Sequence, residues 1–169
     1  CFILGSSPAD NYFSNLIHFL PRIFFTNEKK ITLVIHRNLS NKFRDFVKLI
    51  CSMRGIEVKF KFLDDDFYRF SNSKFPQFFP IEKSIIILKF FLEKTLSQIK
   101  VPDFREKIYI RRDDVSYRKI LNEADLITKL RKNNFEVINP NHFDILQQIK
   151  IFNNAKIIVS PHGSNLSNL

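Results

Sequence analysis

Strand-like and helix-like segments alternate along this chain, and that order constrains its fold more than any other feature. Residues 2–4, 32–36 and 57–63 have strand character, as do 107–110, 135–138 and 156–159. Among them, residues 12–25, 41–53, 83–99, 122–132 and 144–153 carry apolar side chains in helical patterns. Joining parallel neighbours takes a crossover of about a dozen residues or more, which is what a helix between strands supplies. The predicted class is therefore α/β, with a mostly parallel sheet covered on both faces. A break carrying Pro102, near residues 100–105, is the expected boundary between two lobes, 1–100 and 101–169.

Local signals refine this outline. Pro21 is expected to kink or end the helix over 12–25. Phe43, Phe46, Val47 and Ile50 share one face of the helix over 41–53, and Gly55 is its stop. Residues 71–80, rich in Pro, Ser and Asn, read as a loop. Asn122, with Asp125 three residues on, is expected to form a capping box, and Asp144 to cap the last helix.

Composition removes several classes. The chain has 169 residues, is 44% hydrophobic and carries a formal charge of +10. Lysine scattered over solvent faces accounts for most of that charge, while a basic balance also suits an anionic polymer, membrane surface or phosphorylated ligand. Three glycines cannot supply a phosphate loop or a GxGxxG turn, which argues against a P-loop NTPase and an ordinary nicotinamide dehydrogenase. HExxH, EF-hand, GxSxG and Cys/His metal patterns are missing. Cys1 and Cys51 make no disulfide framework, which points to a reducing compartment. The apolar stretch 85–92 contains Lys89 and falls short of the roughly 20 residues a bilayer span takes. Asp64, Asp65 and Asp66 would suit a divalent metal, but a charged turn is the preferred reading. The chain starts at Cys1 and stops inside a motif, so it is expected to be a piece of a longer protein, cut at both ends.

Ligands of open parallel sheets sit beyond the carboxyl ends of the strands, which singles out two loops. "RRDDVSYRKILNE", from residue 111, gathers Arg111, Arg112 and Arg118 ahead of a helix N-terminus, an arrangement suited to a diphosphate. The alternative is a solvated loop whose arginines pair with Asp113 and Asp114. "SPHGSN", from residue 160, offers His162 as a donor or acid–base group, and Gly163 permits close backbone approach. A histidine satisfied by its neighbours is the ordinary alternative, and Ser164 would cap a following helix.

Residues 107–169 resemble the catalytic region of the family 61 glycosyltransferases, the capsular polysaccharide biosynthesis type. The resemblance rests, in order, on Tyr109-Ile110, Arg112, Arg118, Asn122-Glu123, Phe135-Glu136-Val137, Gln148 with Phe152, Pro161-His162-Gly163 and Asn168. Asn11, Tyr12, Leu20, Pro21 and Arg22 match an N-terminal segment of the family. The family's histidine and tryptophan there fall on Ser14 and Asn15; Arg111 replaces a serine and Asn134 a glycine. His18, four residues after Ser14, is the stand-in for the missing histidine.

The resemblance implies two Rossmann-like lobes of a GT-B-type glycosyltransferase, both incomplete here. It implies an inverting, metal-independent transfer from a nucleotide-diphosphate-sugar to a glycan or lipid-linked glycan, with no further cofactor. The implied donor-binding residues are Arg112, Arg118, Asn122, Glu123, Gln148, His162, Gly163 and Asn168. Catalytic roles fall to Arg118 and His162, with His18 or Asp10 as base. A cytoplasmic site is expected, with peripheral association at the inner membrane face left open and no nucleic-acid partner. The competing readings are a non-catalytic basic module binding RNA or an anionic polymer, and an inactive family member, suggested by Ser14 and Asn15.

Overall fold

Two three-stranded sheets, each with all its strands parallel, organise the chain. The computed structural model describes residues 1–4, 11–97, 100, 102–112 and 119–168. They divide into two compact units, Cys1–Glu93 and Lys94–Leu169. The class is α/β, compatible with a Rossmann-like fold.

In the first unit β1 (Phe2–Ile3), β2 (Lys30–His36) and β3 (Glu57–Leu63) pair in the order β1-β2-β3. Central β2 buries Leu33, Val34 and Ile35 in succession, as a strand covered on both faces must. β3 has one strand partner among the described residues and carries Lys59 and Lys61, charges that discourage further pairing at an edge. The helix α1 (Asn41–Met53) has the bounds its pattern predicts. The Ser40 hydroxyl accepts from the Phe43 amide at 3.2 Å, while Phe43, Phe46, Val47, Ile50 and Cys51 face inward. Gly55 ends it at φ +68°, its amide donating to Ser52 and that of Ile56 to Cys51, a Schellman motif.

Residues 12–25 depart from the single helix expected. A π-helical turn, Ser14–Phe19, passes into a 3-10 helix, Leu20–Phe25. Pro21, at the start of the second, has no N–H to continue the first ladder. Leu20, Pro21, Arg22 and Ile23 are all buried, so packing fixes the geometry of the handover. The apolar helix α2 (Ile81–Leu96) lies over the expected region, burying Leu88 and Leu92 one turn apart.

The second unit has β4 (Lys107–Ile110) between β5 (Glu136–Ile138) and β6 (Ile157–Val159). Its core joins Ile108, Ile110 and Ile138 to Ile151 and Phe152 of α4 (Ile145–Asn154). Asp144 caps α4 as expected, accepting from the Gln147 amide at 2.8 Å while its own amide donates to the Gln147 side chain at 3.0 Å. The other capping box is not formed. Asn122 precedes α3 (Glu123–Lys132), but its side chain makes no capping bond, because a ψ of 35° is not the extended geometry that aims a cap at the helix amides. Asn134 has φ +64° and completes a Schellman motif, with its amide on Arg131 and that of Phe135 on Leu130. The position therefore asks for left-handed backbone, which asparagine tolerates better than most side chains. This is the physical reason asparagine can stand where the resembling family has glycine.

Candidate functional site

Tyr109 of β4 pairs with Val159 of β6, so the loops leaving the two strands start in register at one edge of the second sheet. Arg112 and His162 each lie three residues beyond that pair. The Arg112 guanidinium donates from Nη1 to the main-chain carbonyl of His162. It also occupies the space beside Gly163: a β-carbon there would meet Arg112 Cζ at 3.1 Å and Nε at 3.2 Å. The sequence-predicted Arg112, His162 and Gly163 are thus brought together, with the His162 side chain exposed. The bond that joins arginine to histidine runs to the latter's backbone carbonyl.

A second group steadies the start of α3. Buried Tyr109 donates its hydroxyl to Glu123 Oε1 at 2.7 Å, and Arg111 Nη2 lies 3.6 Å from Glu123 Oε2. Arg111, which stands where the family has serine, is tied to the sheet by its backbone N–H, which donates a hydrogen bond to the Ile138 carbonyl. Glu123 therefore links the end of β4 to the helix N-terminus, where a carboxylate is also favoured by the helix dipole.

Of the remaining candidates, Asn122 is exposed at the same loop. Gln148 is 6% exposed, and its amide donates to the Phe143 carbonyl at 3.2 Å. Asn168 is buried at the end of the 3-10 turn Ser164–Asn168, whose first bond runs from the Leu166 amide to the Gly163 carbonyl. Arg118, Asp113, Asp114 and Asp10 lie outside the described residues.

In the first unit His18 belongs to the π-helical turn, its ring edge-on to Phe13 and Phe78 at 5.4 and 6.4 Å. Asn11 accepts from the Ser14 amide through its side chain at 3.0 Å, a local role for the first residue of the matched segment. Arg22 is fully buried, and sequence reasoning assigned it no role; its place in the matched Leu-Pro-Arg run was the available signal. The acidic triplet is a charged turn: Asp64 pairs with Arg37, Asp65 with His36 at 3.1 Å, and Asp66 accepts from the Phe67 amide at 2.7 Å. Among the described residues no group of three or more His, Cys, Asp or Glu side chains is arranged to hold a metal.

The family model described as Glycosyltransferase 61 matches residues 12–169, from Tyr12 through the histidine–glycine loop. No curated protein and no solved structure matches the chain.

Proposed function

The chain belongs to glycosyltransferase family 61, and on that premise we propose that its second unit binds a nucleotide-diphosphate-sugar at the Arg112–Gly163 loop pair. The family carries the general activity, transfer of a sugar from a donor to an acceptor. The observation that supports the donor site is the meeting of Arg112 with the His162–Gly163 backbone beyond two adjacent parallel strands.

The chemistry follows from the leaving group. An acceptor hydroxyl oxygen attacks the anomeric carbon from the face opposite the diphosphate and forms the new glycosidic bond. The bond from that carbon to the diphosphate oxygen breaks, the acceptor proton passes to a base, and the configuration inverts. Negative charge grows on the departing diphosphate and has to be met by groups already in place. In this reading Arg112 and Arg118 supply that charge, His162 donates to a phosphate or sugar oxygen, and no divalent ion takes part. Arg118 receives its role from the family motif alone. Acceptor binding is assigned to the first unit of a GT-B-type enzyme, with His18 or Asp10 as base and a surface or capsular glycan as acceptor.

The test is a panel of nucleotide-sugars offered to the full-length protein, with binding followed calorimetrically and turnover by released nucleotide. At least one donor should bind, Arg112→Ala should weaken it, and turnover should survive chelation. Arg118→Ala should cost about 2–4 kcal/mol of transition-state stabilisation. Donor binding without turnover would mark an inactive member; no binding by any donor would overturn the reading.

A further inference from the structure

Arg22 is the largest wholly buried side chain among the described residues, at 0% exposure, and it is cationic. Nη2 donates to the Ile3 carbonyl at 3.1 Å. Nε and Nη1 have no hydrogen-bond partner, and no carboxylate pairs with the guanidinium among the described residues. Burial draws its pKa down, because the charged form has lost water. Arg54 shows the contrast. It too is partly desolvated, yet its Nη1 and Nη2 reach the carbonyls of Ile23 and Thr26 at 2.7 and 3.1 Å.

Two phenyl rings lie against the guanidinium, their centroids 4.5 Å (Phe75) and 4.4 Å (Phe78) from Cζ. The ring faces attract the charge, but they satisfy neither N–H, and a buried donor left without an acceptor is costly. Both rings reach the surface, Phe75 at 57% exposure and Phe78 at 42%, on an irregular stretch between the lone bridge at Lys74 and the start of α2, and Phe78 also packs against Phe19 and Phe75. A cation with no carboxylate partner among the described residues thus sits beneath two part-exposed rings. Ile3 ends β1 and pairs with Val34, two residues before β2 ends, so the group lies towards the carboxyl ends of the first sheet's strands, beyond which open parallel sheets take ligands. The His18 ring lies beside Phe78.

We propose that Arg22 is the anion-binding group of a second ligand site, which takes the carboxylate or phosphate of a sugar when Phe75 and Phe78 swing aside. An oxyanion supplies the acceptors that Nε and Nη1 lack and neutralises the charge, and a charge-assisted bond is about twice as strong as a neutral one. The displaced rings keep a function, because a phenyl face packs against the apolar face of a sugar ring. The site stands on Arg22 by itself; only its assignment to the acceptor, which would then be an acidic sugar, rests on the proposed function.

Arginine Nε–H signals of the 15N-labelled protein, titrated at constant ionic strength with glucuronate, glucose 6-phosphate, inorganic phosphate and neutral glucose, test this. The Arg22 signal, identified by its loss in Arg22→Lys, should move saturably with glucuronate, glucose 6-phosphate or both, and stay still with glucose. Glucuronate alone would assign a carboxylate; glucose 6-phosphate alone, a phosphate. Inorganic phosphate binding as tightly as glucose 6-phosphate would remove the sugar from the proposal. Replacing both rings by alanine should expose the guanidinium and tighten binding of the free inorganic or acetate anion about tenfold, equivalent to about 1.4 kcal/mol. If Arg22→Lys fails to fold, the double alanine variant decides alone, since anion affinity no tighter than that of the native chain would overturn the cover. An Arg22 signal that no anion moves, in either protein, would overturn the site. Donor binding measured on the same sample separates the two readings: its absence with glucuronate still bound sinks the donor assignment and leaves this one standing.

Discussion

Gly163 has no side chain where one would press on Arg112. Gly163→Ala places a β-carbon 3.1 Å from Cζ, and the guanidinium, being the free end of a long side chain, should give way rather than the backbone. The expected result is donor binding weakened by roughly 1 kcal/mol, about fivefold, with the melting temperature almost unchanged. Calorimetric titration beside a thermal melt checks it, and full donor affinity in the variant would detach Arg112 from the donor. A second residue-level outcome concerns Cys51, wholly buried on α1. Burial pushes its thiol up to about 11, with Arg54 opposing the shift more weakly. The unfolded thiol titrates near 9.0, so the unfolded chain releases this proton first. The stability Cys51 contributes is therefore complete below about pH 9 and is lost as pH rises towards 11, about 3 kcal/mol in all. Denaturant unfolding across that window should fall less steeply with pH in Cys51→Ala than in the native chain. Equal slopes would show that Cys51 is not the group titrating.

The two short helices of the second unit begin differently, and substitution should expose the difference. Asp144 closes a reciprocal capping box on α4, so Asp144→Ala should cost about 1 kcal/mol of stability. Asn122 precedes α3 without capping it, so Asn122→Ala should leave stability within about 0.5 kcal/mol. Urea midpoints of the two variants check both statements. A loss in Asn122→Ala matching that of Asp144→Ala would mean that Asn122 does cap the helix in solution. α3 is tied down instead through Tyr109 and Glu123, a bond between its first residue and the strand at the centre of the sheet. A helix anchored in this way presents its N-terminal amides at the edge where Arg112 also lies.

For the whole molecule, a charge of +10 and the proposed donor site built on arginine imply that salt acts on binding more than on the chemical step. Raising sodium chloride from about 0.05 to 0.5 M should raise the KM for donor severalfold and leave kcat nearly constant. A salt-independent KM would separate the arginines from the diphosphate. Much of the architecture was legible beforehand, because dense patterns leave few choices. α1 and β3 follow their predicted bounds, since a sharply one-sided helix and an alternating strand each have one favourable register. Residues 12–25 were not legible in the same way. The choice between α, π and 3-10 bonding there depended on packing around Leu20 to Ile23, which has no signature in spacing. The ordered motifs, read in one dimension, named the family and the residue types of the proposed donor site. They did not show that Arg112 would reach the carbonyl of His162, or that Arg22 would be sealed under two phenylalanines. Those contacts join residues fifty or more positions apart along the chain. Strand register and core packing bring them together, and a linear pattern encodes which residues are apolar or charged but not which distant pair will meet.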